Sequence, residues 1–403
     1  MIAPDTRPPF AALGGISPED AFAALPSPCY VIDEDQLVKN GEILAGVASR
    51  TGAKILLAQK AFSNFNLYPV LAPFLAGTEA SGLYEARLGF EEMPGKEVHV
   101  FSAAYRPDEF NDVLRYADHI VFNSPAQLAK YGALAKSAGK SVGLRVNPEC
   151  STQDGHAIYD PCAPGSRLGT TRAQWDEKMT PDLPALLDGL HFHTLCEQDA
   201  DDLATTLSAL EQRFGDILPR MSWINFGGGH HITRPGYQLS LLEDCIRRIS
   251  EKYGVQIYLE PGEACALNAG FLVTRVLDIV QNGDTKIAIL DMSAACHTPD
   301  VIEMPYRPPL YGADETGVLS HTYRLAGPTC LAGDVIGDYS FPQPLQEGSL
   351  LVFGDMAIYT TCKNNTFNGM PLPSIYARRQ NRTTLLARFS YSDFKSRLGR
   401  LLP

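Results

Sequence analysis

Lys60 closes the apolar run Ile55-Leu56-Leu57-Ala58-Gln59. Partial desolvation at the end of such a run would leave the amine nucleophilic enough to form an imine with a carbonyl compound. A snorkelling surface lysine is the plainer alternative. A second segment, Asn225-Phe226-Gly227-Gly228-Gly229-His230-His231, follows another short apolar run. Gly227, Gly228 and Gly229 would let backbone N–H groups approach an anion such as a phosphate, or would simply make a tight turn. Glu260 opens Glu260-Pro261-Gly262-Glu263. A carboxylate there could keep a heteroaromatic ring nitrogen protonated, or cap the turn beside Pro261.

His191-Phe192-His193 places two imidazoles at i and i+2, on one side of an extended segment. His193, at the end of the run, could stack on an aromatic ligand. The pair could equally be structural or, with His230 and His231, form the metal ligands of a barrel hydrolase. Gly327-Pro328-Thr329-Cys330-Leu331-Ala332-Gly333-Asp334 reads as a tight loop that brings a thiol and a carboxylate together. Cys330 could deliver a proton to a carbanion, or be a packing residue. Tyr359 offers a phenol, and Glu263, Asp300, Glu303 and Asp334 offer carboxylates to an amine.

These residues need a scaffold that makes distant segments converge. Eight short strand-like runs recur, at Ile55 to Lys60, Gly77 to Ser81, Val98 to Ser102, His119 to Asn123, Val142 to Asn147, Gly189 to Thr194, Trp223 to Gly227 and Gln256 to Glu260. Helical patterns such as Ser124 to Ala138 and Asp199 to Phe214 lie between them, the rhythm of a β/α barrel. In such a barrel the C-terminal strand ends share one face, so Lys60, Ser81, Asn123, Asn147, His193 and Glu260 would meet there. After Pro261 the strand-like runs Phe271 to Val280, Lys286 to Asp291, His321 to Ala326 and Leu350 to Phe353 are no longer separated by long helices. An antiparallel β domain is therefore expected. The fold class is α/β, with the barrel over 33–265 and the β domain over 1–32 and 266–403; the run Cys29 to Ile32 could join either.

Composition narrows the function classes. The formal net charge of −12 disfavours nucleic acid and anionic membrane partners and would attract a cationic small molecule. No apolar stretch is long enough to cross a bilayer, and the N-terminal residues lack the pattern of a secretory signal, so a cytoplasmic protein is expected. Nine cysteines without a C-x-x-C pair suggest reduced thiols rather than a disulfide framework or structural zinc, and no metal is expected.

Taken together, the motifs resemble the alanine-racemase-like, fold-type III pyridoxal-phosphate decarboxylases along nearly the whole chain. Within that family the resemblance is greatest to the carboxynorspermidine/carboxyspermidine decarboxylases. It rests on Ala58-Gln59-Lys60-Ala61-Phe62, Gly189 to Glu197, Asn225 to His230 and Glu260-Pro261-Gly262-Glu263-Ala264. The resemblance implies pyridoxal 5'-phosphate as cofactor, with Lys60 as its Schiff-base lysine, His193 stacked on its ring, Gly227, Gly228 and Gly229 at its phosphate, Glu260 at its pyridinium nitrogen and Tyr359 nearby. It also implies a carboxylated polyamine as substrate and spermidine or norspermidine as product. Cys330 would reach the partner's active site in a homodimer with shared sites. The chain departs from ornithine and diaminopimelate decarboxylases at Glu263, where they carry arginine, and at Leu331, where an ornithine-type enzyme carries an acid. Glu263, Asp300 and Asp334 are therefore the candidates for the substrate's amines. A diaminopimelate or other basic amino-acid decarboxylase is the alternative on the same fold, a non-catalytic cofactor-binding barrel a second, and the metal hydrolase a remote one.

Overall fold

The structure is a computed structural model describing residues 7–153 and 160–399. The chain divides into two compact units, Lys39–Cys265 and Met1–Val38 with Ala266–Pro403. After an opening strand, β1 (Cys29–Asp33), the helix Glu34–Thr51 leads into eight parallel strands. These are β2 (Lys54–Ala58), β3 (Gly77–Ala80), β4 (Glu97–Phe101), β5 (His119–Phe122), β6 (Ser141–Arg145), β7 (Gly189–His191), β8 (Trp223–Asn225) and β9 (Gln256–Leu259). They close in sequence order, β9 pairing back onto β2. All eight runs expected from the sequence are strands of this barrel. Each is buried along nearly its whole length, as parallel strands covered by helices must be.

The helices between strands start where side chains can satisfy their first N–H groups. Ser124 accepts from Gln127 N–H ahead of Pro125–Ser137, and Asp199 accepts from Ala200 N–H at the start of Ala200–Phe214. At one end of the barrel the Trp223 indole packs with Leu56, Val121 and Tyr258. Gly143, Gly189 and Trp223 lie in one row of neighbouring strands. A Cβ on Gly143 would lie 2.4 Å from the Trp223 ring, and one on Gly189 only 2.0 Å from it.

The other unit is a sheet of eight strands built from β1, β10 (Gly270–Asn282), β11 (Thr285–Leu290), β12 (His321–Ala326), β13 (Val335–Phe341), β14 (Leu350–Gly354), β15 (Ser374–Arg379) and β16 (Arg382–Ala387). The sheet is mixed rather than purely antiparallel, because β1 runs parallel to β15 and β11 parallel to β12. β1 belongs here, between β10 and β15. Phe10, Phe22, Val31, Phe271, Val352 and Tyr376 share an apolar cluster in this unit. Beside them an ion pair between Asp33 and Arg378 is almost wholly buried, with side chains 2% and 5% exposed. All nine cysteines are free thiols, and among the described residues no helix is long and apolar enough to cross a membrane.

Candidate active site

Lys60 lies two residues beyond the end of β2 and is half-buried. Its segment is pinned on both sides, since Ala58 N–H donates to Pro261 O at 3.2 Å and Gln59 N–H to Glu79 O at 3.1 Å. The strand ends bring Glu260, Glu79, Arg145, His191 and His193 around it. The charge of Lys60 is felt by Glu79, Glu85, His191, His193 and Cys196.

Glu260 follows β9 and is buried. Its Oε1 accepts from Asn225 Nδ2 at 2.5 Å, and its Oε2 faces His191 Nε2 at 3.1 Å. Burial alone would favour the neutral acid. The His191 charge and hydrogen bond, the nearby His99 and the Asn225 amide outweigh that and hold the carboxyl below its ordinary range. A carboxylate offers about four lone-pair sites, and these two bonds leave room for one further donor.

Glu79, in β3, has the opposite character. Burial and the negative charge of Glu260 push its carboxyl up to about 8, against the opposing charges of Lys60 and Arg145. The surroundings therefore favour the neutral form at Glu79 and the ionised form at Glu260. Arg145 closes β6 and packs over the Phe101 ring, 4.7 Å from its centre, while donating to His193 O at 3.0 Å. Burial lowers its guanidinium to about 10, and Phe101 in turn stacks on His191.

His193 accepts the Gly228 N–H on Nδ1 at 2.8 Å, which leaves the proton of the neutral ring on Nε2. Burial, then the charges of Lys60 and Arg145, keep its pKa well below the usual value. The glycine turn is partly self-satisfied: Gly227 N–H donates to Asn225 Oδ1 at 2.8 Å, and Gly228 N–H goes to His193. Three free donors for an anion, as the sequence suggested, are thus not what this geometry offers. The residues must still be glycine. Gly227 and Gly229 adopt φ of 70° and 82°, and a Cβ on Gly229 would lie 1.9 Å from Leu195 O.

The remaining candidates are held as follows. Glu263 accepts from His231 Nε2 at 2.7 Å, which commits one carboxylate oxygen. Asp300 and Glu303 both grip Lys363. Asp334 is buried and accepts from Ser293 Oγ, Ala295 N–H, Thr329 N–H and Thr329 Oγ1, so its lone pairs are spent bracing its own loop rather than open to an amine. Cys330 is exposed, its N–H bonded to Asn368 Oδ1 at 3.0 Å. Tyr359 is half-buried and closes a loop that opens at Asp355; both take φ of 57°, a strained conformation for residues with a Cβ.

The histidines named for a metal are engaged elsewhere: His191 with Glu260, His193 with Gly228 and His230 Nε2 with Phe226 O at 3.4 Å. Among the described residues the group compact enough for an ion is Glu97, His99 and His119, near the N-terminal ends of β4 and β5. Those two rings stack parallel, 9° apart with centres 3.9 Å apart, so one ion cannot lie in both ring planes; Lys54 also pairs with Glu97. Glu79 and Arg145 are site residues that the sequence reading passed over. Their signal is a charged residue inside a run that must be buried on both faces.

The residue set suits an anionic heteroaromatic cofactor with a carbonyl group: an amine, an ionised buried acid with lone pairs to spare, a neutral imidazole and a glycine turn. The model of the pyridoxal-dependent decarboxylase family, described by its C-terminal sheet domain, matches residues 29–357. This chain belongs to the pyridoxal-dependent decarboxylases. It is 42% identical over 388 residues to a carboxynorspermidine/carboxyspermidine decarboxylase of Campylobacter jejuni, covering 93% of this chain and 99% of that one. It is 41% identical over 380 residues to a carboxyaminopropylagmatine decarboxylase of Synechocystis sp., covering 94% and 97%. The crystal structure of a Campylobacter jejuni carboxynorspermidine decarboxylase complexed with norspermidine superposes with a TM-score of 0.84 at 40% identity, over 93% of this chain and all of the other. Like those relatives, this family member is a decarboxylase, with the barrel and sheet domain that the family shares.

Proposed function

We propose that this chain decarboxylates a carboxylated polyamine, carboxynorspermidine or carboxyspermidine, with pyridoxal 5'-phosphate as cofactor, yielding norspermidine or spermidine. The observation that carries the chemistry is the buried Glu260, kept ionised by Asn225 and His191 beside Lys60. When bound, the cofactor supplies an electron sink for the pair left at Cα as the carboxylate departs. Lys60 is the residue to hold its carbonyl carbon, His193 its ring face, Glu260 its ring nitrogen and Gly227 to Gly229 its phosphate, with Tyr359 close by. Glu260 would accept the ring N–H with lone pairs that the protein leaves open. His193, neutral and fixed by Gly228, adds no positive charge against the ring.

The substrate class follows from the relatives, whose names carry carboxylated polyamines, and from the net charge of −12, which favours a ligand with several ammonium groups. Asp300 and Glu303, already gripping an ammonium in Lys363, are the acids to receive a substrate amine. Glu263 and Asp334 are otherwise engaged. Cys330 is the candidate proton donor, acting across a homodimer interface.

Carbon dioxide release from carboxynorspermidine, carboxyspermidine, carboxyaminopropylagmatine and meso-diaminopimelate tests the reading, with sedimentation analysis for the dimer. Wild type turns over the first two fastest and Lys60→Ala none. Preference for diaminopimelate would overturn the substrate, and full activity in Lys60→Ala the site.

A further inference from the structure

Two of the three glycine N–H groups in the turn Gly227 to Gly229 are spent within the protein, so a phosphate placed there needs another donor, preferably a cation. His231 follows the turn after one intervening residue and is buried, its side chain 9% exposed. Its Nε2 lies 2.7 Å from Glu263 Oε2. Its Nδ1 is fully buried and has no hydrogen-bond partner among the described residues.

The arrangement is rigid. His231 N–H donates to Gln198 O, Arg234 N–H donates to His231 O, and Thr233 Oγ1 donates to Ala264 O, tying the His231 segment to the short helix that Glu263 opens. The Cys196 thiol lies within the field of both Glu263 and Lys60. Burial disfavours the imidazolium, but the hydrogen bond and charge of Glu263, with Glu197 adding and Arg234 opposing, raise the His231 pKa above its ordinary value. An imidazolium has two donors. Here one is spent on Glu263, and a buried N–H without an acceptor is costly, so the second calls for an anionic oxygen.

We propose that His231 is a phosphate-binding residue of this site, its Nδ1–H donating to a phosphate seated at the glycine turn while Glu263 acts as the positioning residue that orients the ring. This rests on the reading that the cofactor's phosphate lies at that turn. It gives Glu263 a task that requires no contact with the substrate.

The test is cofactor binding rather than turnover. Apoprotein is titrated with pyridoxal 5'-phosphate, with pyridoxal lacking the phosphate, and with inorganic phosphate as competitor, for wild type, His231→Gln and Glu263→Gln. Wild type is expected to prefer the phosphorylated cofactor. His231→Gln should lose roughly ten- to a hundredfold of that affinity, the worth of one charged hydrogen bond, while its pyridoxal affinity stays unchanged. That constancy also reports an intact fold. Glu263→Gln should lose part of the same discrimination, and phosphate should compete in wild type more strongly than in either variant. A His231→Gln protein that keeps the full preference overturns the inference while leaving the cofactor assignment standing. A wild type that binds neither pyridoxal compound overturns the assignment itself, and this inference with it.

Discussion

Replacing Glu79 by glutamine keeps the shape of the side chain and removes its proton equilibrium. In the folded protein burial and Glu260 raise the Glu79 carboxyl from an ordinary 4.5 to about 8, with Lys60 and Arg145 opposing and Glu85 adding. A group whose folded pKa is raised contributes stability that is fully present below its unfolded value and is lost as pH rises through the folded one. For Glu79 the loss runs from about pH 4.5 to about pH 8. Each pH unit in that window costs roughly 1–2 kcal/mol, on the order of 5 kcal/mol across it. Chemical denaturation of wild type and Glu79→Gln at half-unit steps from pH 5 to pH 9 measures this directly. The variant should be the less stable at pH 5, or equal, and gain steadily on wild type up to pH 8, after which the difference levels off. A difference that stays constant between pH 5 and pH 8 would show that Glu79 is ionised throughout, and would sink the division of charge between the two acids.

Asn225→Asp preserves the acceptor for Gly227 N–H but replaces the donor to Glu260 by a second acid; the acidic limb of kcat/KM is expected to move up by about one to two pH units, read from a pH–rate profile. Arg378→Met leaves Asp33 charged and buried, which should cost about 3–5 kcal/mol in denaturant unfolding of the full chain. Gly229→Ala forces a Cβ into the Leu195 carbonyl at a positive φ, so a loss on the order of 2 kcal/mol or more is expected, with weakened cofactor binding in the same titration.

The barrel was legible because parallel strands covered on both faces read as apolar runs, and because seven of the eight runs end on a polar residue and the eighth on the glycine turn. The β unit was less so. β13, β15 and β16 were not expected, since Val335–Phe341 contains glycine and aspartate, while Arg382–Ala387 is largely exposed and opens on Arg382-Thr383-Thr384. The two parallel pairings depend on contacts between segments far apart in sequence, which no local pattern encodes. In the site, Lys60, His193 and Glu260 stood out as reactive groups ending apolar runs. Glu79 lies inside its strand and Arg145 closes one, but both fall within the apolar runs read from the sequence, where a charged side chain reads as an interruption until the opposing charges are placed beside it. The pairing of His231 with Glu263 was equally hidden, because the two lie 32 positions apart in sequence.

The row formed by Gly143, Gly189 and Trp223 makes three positions on three strands a single unit of inheritance. Neither glycine can gain even a methyl group while the indole is there, and the indole cannot shrink without opening a void that larger residues at 143 and 189 would refill. Among descendants of a common ancestor these positions are expected to change together or not at all. A designer wishing to redistribute volume at this end of the barrel has to exchange all three residues in one step.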